Sequence, residues 1–487
     1  MAEDRKRHCW ECLRRSLVCD FSQPQCKRCS ATGIVCPGYT DTQPLRLRWL
    51  APGRVKSRRQ KPTNKNTKEI TEKHPASPKD VVTPPKELKT DLHVFVQATE
   101  YYNACIYPDL LHISRLGQNT AIYPITPPIF QMAIATHPDH IRLVIVCMTL
   151  SHRMNRARHG PECHALAQNF FHYRGQLIRS LSDDIKAEHK CTSDLVIAGI
   201  LTLLLVDAQQ GASPHYRCHL DGVRRIILLR GGICSLAQSA GMVPLLLFIV
   251  FITVMGDTSS PVPDLTMATS QLEELDFMIE QYGGRPFAFA TYPTALFAEI
   301  IKINYLRVRA SKSDRTAASV FTNDAYEILN RIHSFSPEQW AEPKLTAHAE
   351  WVLLGNIHQA AVALYCILSL QSVAILPRSS FLQQHCTAHA QLLQRLLSQA
   401  LTFHRVERFI IWDLVVLGVA AVNDAGIRAF IREQLPELSH STGTYAPLMA
   451  KALLDRLWAS GETHWDACFD QPYTFAMNMS VDVSGLR

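Results

Sequence analysis

The chain lacks the short signatures that mark common catalytic sites. No G-x-S-x-G elbow, P-loop, G-x-G-x-x-G turn or H-E-x-x-H pair occurs in its 487 residues. The histidines form no similar zinc arrangement, so an enzyme reading has no positive support and the chain is expected not to be one. Runs of alternating β-branched residues bounded by turn signals are also missing, which argues against a sheet. No repeat period is evident, so an irregular helical bundle is expected rather than a solenoid. Residues 1–8 contain no apolar signal region, so an oxidising compartment is not expected. The two apolar runs 195–206 and 242–255 fall far short of the ~20 residues that a spanning helix needs, and they are expected to be buried core helices with no membrane partner.

Against these absences stands a concentration of cysteine. Six of the 15 cysteines fall in the first 36 residues: Cys9, Cys12, Cys19, Cys26, Cys29 and Cys36. Their spacing is C-x2-C-x6-C-x6-C-x2-C-x6-C, so the second half repeats the first. A C-x2-C pair places two thiolates on one side of a single ion. Six sulfurs give two ions four ligands each only if two sulfurs are shared, which points to two structural Zn2+ ions in one binuclear cluster. The alternative is a small disulfide knot, which would need an oxidising compartment. The other nine cysteines, Cys105, Cys147, Cys163, Cys191, Cys218, Cys234, Cys366, Cys386 and Cys468, show no ligand spacing and are expected to be core residues.

Charge is distributed unevenly. Residues 1–90 hold 20 Lys+Arg against 9 Asp+Glu, a net of +11. Of the chain's 50 basic and 43 acidic residues this leaves 30 and 34, a net of −4 for the rest. No acid occurs from Pro44 to Lys68, whereas Arg54, Lys56, Arg58 and Arg59 stand close together. A Pro-, Lys-, Thr- and Ser-rich stretch follows to Lys89. Residues 41–90 are therefore expected to be a flexible linker whose basic part contacts phosphates and serves as a nuclear import signal.

The stretch from His8 to Tyr39 resembles the fungal zinc binuclear cluster family of transcription factors. Asp20, Pro24 and Gly33 stand where that family has them. The resemblance implies a DNA-binding module at 1–40, with Cys9 and Cys26 bridging the two zincs. It also implies a short DNA-reading helix between Cys12 and Cys19. The family usually places basic residues where this chain has Leu13, Arg15, Ser16 and Val18. Only Arg15 keeps the charge, and Arg14 adds one at a normally variable position. Arg14, Arg15 and Ser16 are the candidate base-reading residues, and Lys27, Arg28 and the linker residues Arg54, Lys56, Arg58 and Arg59 the candidate phosphate contacts. The implied target is double-stranded DNA with CGG-like sites. His8 is read as a surface histidine, since six cysteines already suffice.

From residue 91 to 487 the apolar pattern is helical, as in Leu88, Leu92, Phe95 and Val96 and in Leu353, Ile357, Ala360, Ala361 and Leu364. Breaks are expected at Pro127-Pro128, Gly231-Gly232, Pro261, Gly283-Gly284 and Pro377. The expected fold is a small zinc-organised helical module, a flexible basic linker and a large all-α domain. The segment Tyr216 to Gly232, YRCHLDGVRRIILLRGG, resembles the signature helix of the fungal-specific regulatory domain, with Tyr216 for the usual Trp and Val223 for the usual Ala. Gly231 suits a left-handed helix end. The tail from Glu462 to Val483 mixes acids with Trp465, Phe469, Tyr473 and Phe475. Such mixtures occur in activation segments, but four aromatics gain much by burial, so packing onto the helical body is expected.

Two functions stay open at this stage. One is a nuclear, sequence-specific DNA-binding regulator of RNA polymerase II genes, with the transcription machinery as partner. The other is a transcriptional cofactor with a degenerate DNA-reading helix, acting through protein contacts. A homodimer is open too, because no sustained heptads occur between residues 40 and 90.

Overall fold

The computed structural model describes residues 9, 12, 19–33, 36, 92–114, 116, 123–157, 161–211, 216–239, 241–265, 292–312, 321–344, 346–403 and 406–475. It divides into two compact units, one within residues 1–83 and the other within 84–487. No strand occurs among the described residues.

The described residues of the first unit include one short helix, α1 (Lys27–Ala31). The expected linker and the expected DNA-reading helix lie outside the described residues, as do Leu88 and Gly283-Gly284.

The second unit is helical throughout its described residues. Its first half contains α2 (Leu92–Tyr101), continued by a π-turn (Tyr102–Ile106) into α3 (Tyr107–Ser114), then α4 (Pro127–Thr136), α5 (Asp139–Arg156), α6 (Pro161–Lys186), α7 (Asp194–Gln209), α8 (Tyr216–Leu229), α9 (Gly232–Leu236) and α10 (Val243–Thr258). Its second half contains α11 (Thr294–Lys312), α12 (Thr322–Ser334), α13 (Pro337–Ala341), α14 (His348–Ser372), α15 (Ser380–Ala400), α16 (Ile411–Ala420), α17 (Ala425–Thr442) and α18 (Ala446–Ser460), with a closing 3-10 turn (Trp465–Cys468).

Local chemistry explains many of the boundaries. Pro127 opens α4 where a missing N–H costs nothing. Ser193, Ser379 and Asp424 cap α7, α15 and α17 by accepting from backbone N–H groups three residues on. Gly231, at φ +90°, takes the left-handed conformation between α8 and α9. Pro261 and Pro377 fall between helices, as expected.

Two apolar cores fill the second unit. One is built by α2 and α5 to α10, the other by α10 to α18 and the tail. α10 belongs to both: Leu245, Leu246, Phe248, Ile249 and Ile252 enter the first, and Val250, Val254 and Met255 the second. This is why 242–255 is apolar all round rather than on one stripe. α7 is likewise buried from Val196 to Leu204. Both apolar runs are thus core helices. Among the described residues one helix, α14, is long and apolar enough to cross a membrane, by length and composition alone. Its residues are mostly buried against α11, α12, α13, α15 and α16, so it is the central core helix of the second half.

The halves also meet at polar contacts. Asn155 Nδ2 donates to Gly443 O at 3.0 Å, and Tyr445 N donates to Gln209 O at 2.8 Å. Gly443 has φ +66°, and a Cβ there would lie 2.1 Å from the His152 ring. Position 443 is therefore closed to any other residue by conformation and by space.

Candidate metal centre and regulatory body

Among the described residues of the first unit, the buried ones form a cluster of Cys9, Cys12, Cys19, Cys26, Cys29 and Cys36, with Phe21 packed against them. The Sγ atoms of Cys9 and Cys26 are 3.6 Å apart, those of Cys9 and Cys29 3.8 Å, and those of Cys12 and Cys26 3.7 Å. A disulfide requires about 2.05 Å, and all fifteen cysteines are free. The knot alternative therefore fails. Four sulfurs at 2.3 Å from a tetrahedral ion stand about 3.8 Å from each other, so the spacing fits a thiolate-held metal. Cys9, Cys12, Cys26 and Cys29 form one group able to hold an ion. Cys19 lies beside Cys26, and Cys26 N donates to Cys36 Sγ at 3.4 Å.

The sequence repeat is also a structural one. Cys12 N donates to Cys9 Sγ at 3.4 Å, and Cys29 N donates to Cys26 Sγ at 3.3 Å. Each C-x2-C pair thus closes the same turn, in which the first sulfur accepts from the amide of the second cysteine. Burial from water pushes the thiols of Cys9, Cys12 and Cys29 up, the last to about 12. Binding a cation here must therefore release protons.

Asp20 sits beside Cys19 and Cys26 but spends its oxygens elsewhere. Oδ2 accepts from Lys27 N at 2.9 Å and from Ser22 Oγ at 3.0 Å. Loss of water raises its carboxyl, and these hydrogen bonds outweigh that and hold it below the usual carboxylate range. Its place is as an anchor for the N-terminus of α1, where negative charge is favourable. Gly33 ends this turn at φ +68°.

In the second unit the helix α8 is fastened by charge as well as by its apolar face. Val223 and Ile227 are buried, and Tyr216 is fully so. Arg217 Nη2 donates to Asp257 at 2.8 Å and to Ser260 Oγ at 2.9 Å. His219 Nε2 lies 3.4 Å from buried Asp207, which Arg174 Nη2 reaches at 2.7 Å. Burial raises the Asp207 carboxyl, and the contacts from Arg174 and His219 together outweigh it and hold it below the usual carboxylate range. A helix ending on Gly231, fixed by buried acids on α7 and α10, is the arrangement that gives the segment 216–232 its character.

That character is shared. The fungal specific transcription factor domain matches residues 99–480. This chain belongs to that family. A relative from Leptosphaeria maculans (strain JN3 / isolate v23.1.3 / race Av1-4-5-6-7-8), the phomenoic acid biosynthesis cluster-specific transcriptional regulator, is 44% identical over 486 residues, covering 99% of this chain and 91% of its own length. No solved structure matches. The fungal-specific transcription factor domain is thus a transcriptional regulator and not an enzyme.

The remaining expectations fall as follows. Lys27 and Arg28 are exposed on α1, immediately after Cys26. Arg14, Arg15, Ser16, Arg54, Lys56, Arg58, Arg59 and His8 lie outside the described residues. The tail aromatics Trp465, Phe469, Tyr473 and Phe475 are buried in the body's second core. Fully buried Arg307 holds that tail, donating to Asp466 at 2.6 Å, Tyr365 Oη at 3.0 Å, Ser260 O at 3.0 Å and Asp257 O at 3.1 Å. The expectation that the nine remaining cysteines are core residues needs correction. Cys147, Cys366 and Cys468 are buried, but Cys218 and Cys234 are exposed, because they ride the solvent faces of α8 and α9. His333, His385 and His389, which form no sequence motif, come together with one ring nitrogen of each within 4.8 Å of the other two.

Proposed function

We propose that this regulator is a zinc-dependent, sequence-specific DNA-binding protein that acts in the nucleus on RNA polymerase II genes. The observation that carries the reading is the buried six-sulfur cluster with two equivalent C-x2-C turns and metal-ligand spacing. Two zinc ions would each take four thiolates, with Cys9 and Cys26 shared. Their 3.6 Å separation suits a shared edge, and Cys26 has sulfur neighbours in both halves of the repeat. With every position filled by sulfur, the ions organise the chain and leave no open site for catalysis.

The module would present its DNA-reading helix to a groove. Arg15, with Arg14 and Ser16 beside it, reads bases, while Lys27, Arg28, Arg54, Lys56, Arg58 and Arg59 contact phosphates. The target is a CGG-like triplet, single for a monomer or paired at fixed spacing for a homodimer. The helical body engages the transcription machinery. From the relative's name we carry over the class of role, regulation of a biosynthesis gene cluster, and not the product.

The test is unbiased selection of double-stranded DNA by the full chain. Enrichment of a CGG-like site by about tenfold or more over random sequence, the size of one good base contact, is the expected result. Arg15→Ala should relax that preference. Neutralising Arg54, Lys56, Arg58 and Arg59 together should weaken binding to all sequences and flatten its salt dependence. Ser16 and Val18, uncharged where the family is usually basic, favour a second reading: a cofactor acting through protein contacts. No enrichment from the wild type or from Ser16→Lys would select that one.

A further inference from the structure

Far from the cysteine cluster in sequence, three histidines meet at the surface of the helical body. His333 lies in the last turn of α12, and His385 and His389 stand one turn apart on α15. One ring nitrogen of each lies within 4.8 Å of the other two. His333 Nε2 and His389 Nε2 are 3.1 Å apart, and these two rings stack with centroids at 5.2 Å. His333 is exposed and the other two half-buried.

We propose that His333, His385 and His389 form a binding site for one borderline divalent transition-metal cation of the Zn2+ class. Histidines four apart on one helix face are neighbours that a single ion can bridge. Nitrogens at 2.0–2.1 Å from a tetrahedral ion stand about 3.4 Å apart, close to the observed 3.1 Å pair. An all-imidazole set selects Zn2+, Ni2+ or Cu2+ over Mg2+ and Ca2+, which prefer oxygen. Burial pushes His389 down to about 4 and His333 below its usual range, with the neighbouring rings adding to both shifts.

Both ligand-bearing helices are held by a third. Gln359 of α14 donates to Phe335 O at 2.8 Å, Ile332 O at 2.9 Å and His333 O at 3.3 Å, fixing the end of α12. α15 packs along the same α14. The site is thus preformed on a rigid base, and a bound ion would tie α12 to α15. Three protein ligands leave a fourth position to solvent, as in open sites rather than closed structural ones.

The experiment is equilibrium dialysis of the full chain against about 1 µM free Zn2+ with Mg2+ present, a level chosen to load an unclosed three-nitrogen site. Metal is counted in the wild type and in His385→Gln/His389→Gln. The wild type should carry one more zinc per chain, with the helical circular dichroism of the two alike. His333→Gln should lower the affinity of that extra ion by at least about tenfold, as loss of one ligand in three requires. On the wild type alone, Zn2+ but not Mg2+ should protect the three histidines from carbethoxylation by diethyl pyrocarbonate, read by peptide mass spectrometry. Equal zinc counts, or no zinc-specific protection, overturn the proposal. An unchanged affinity in His333→Gln overturns the three-ligand site.

Discussion

The two units of this regulator are held together by different physics. The helical body buries Leu, Ile, Val and aromatic side chains in two cores that meet along α10. The small module buries six sulfurs and, among its described residues, packs one partly buried apolar side chain against them, Phe21. Apolar burial stabilises by roughly 25 cal/mol per Å2 and needs a long chain. Metal ligation supplies on the order of 10 kcal/mol from a few residues. The comparison teaches that the two ends should answer to different perturbations and be nearly deaf to each other's.

The harshest way to break that contrast is to remove metal. A strong chelator under reducing conditions should unfold the module, a loss on the order of 10 kcal/mol. The body's helical circular dichroism and melting temperature should hardly move. A collapse of the helical signal together with the module would refute their independence.

The converse test attacks the body. Arg307→Met should destabilise it by about 3–5 kcal/mol, because Asp466 and two buried carbonyls lose their donor. Thermal unfolding reads the effect, and the module's metal content should stay the same. Gly443→Ala should cost about 3 kcal/mol, from a left-handed backbone and a clash with the His152 ring. A neutral result in chemical denaturation would show that α5 and α17 do not pack as described.

A gentler difference lies in pH. Burial, reinforced by Arg408 and Arg156, depresses His152 to about 3, from an ordinary value near 6.5. Its ring nitrogen Nδ1 pairs with the Tyr101 hydroxyl at 3.0 Å. The unfolded chain takes up a proton here first as pH falls through 6.5. The body should therefore lose up to about 1.4 kcal/mol per pH unit from this group between pH 6.5 and 3. His152→Gln should flatten that slope, and an unchanged slope would exclude His152 as its source. The smallest effect belongs to the module. Gly33→Ala meets no atom within 4 Å but must hold φ +68°, so it should weaken metal affinity by about 1 kcal/mol. A loss several times larger would mean that space rather than backbone conformation fixes that glycine.

The parts legible in the sequence were those governed by short spacing. The cysteine repeat, the apolar runs 195–206 and 242–255, the left-handed Gly231 and the cluster of tail aromatics each show within a short stretch of sequence, although the runs and the tail are buried by distant partners. What escaped depends on distant partners. His385 and His389 show their spacing within α15, but His333 reaches them from another helix. Arg174, Asp207 and His219 come from three helices, so no local pattern reveals that His219 faces an acid. Cys218 and Cys234 are exposed although cysteine is on average buried, because that average says nothing of which helix face carries the residue.

The placement of α10 has a consequence for how the body comes apart. Because alternate faces of one helix serve as wall to both cores, neither half can open without stripping the other. Heat should therefore produce a single calorimetric transition whose van't Hoff and measured enthalpies agree. Amide protons along α10 should be among the last to exchange, at the free energy of global unfolding rather than of any local opening. A signal that loosens either half would be felt in the other through the same shared helix, with no separate relay between them.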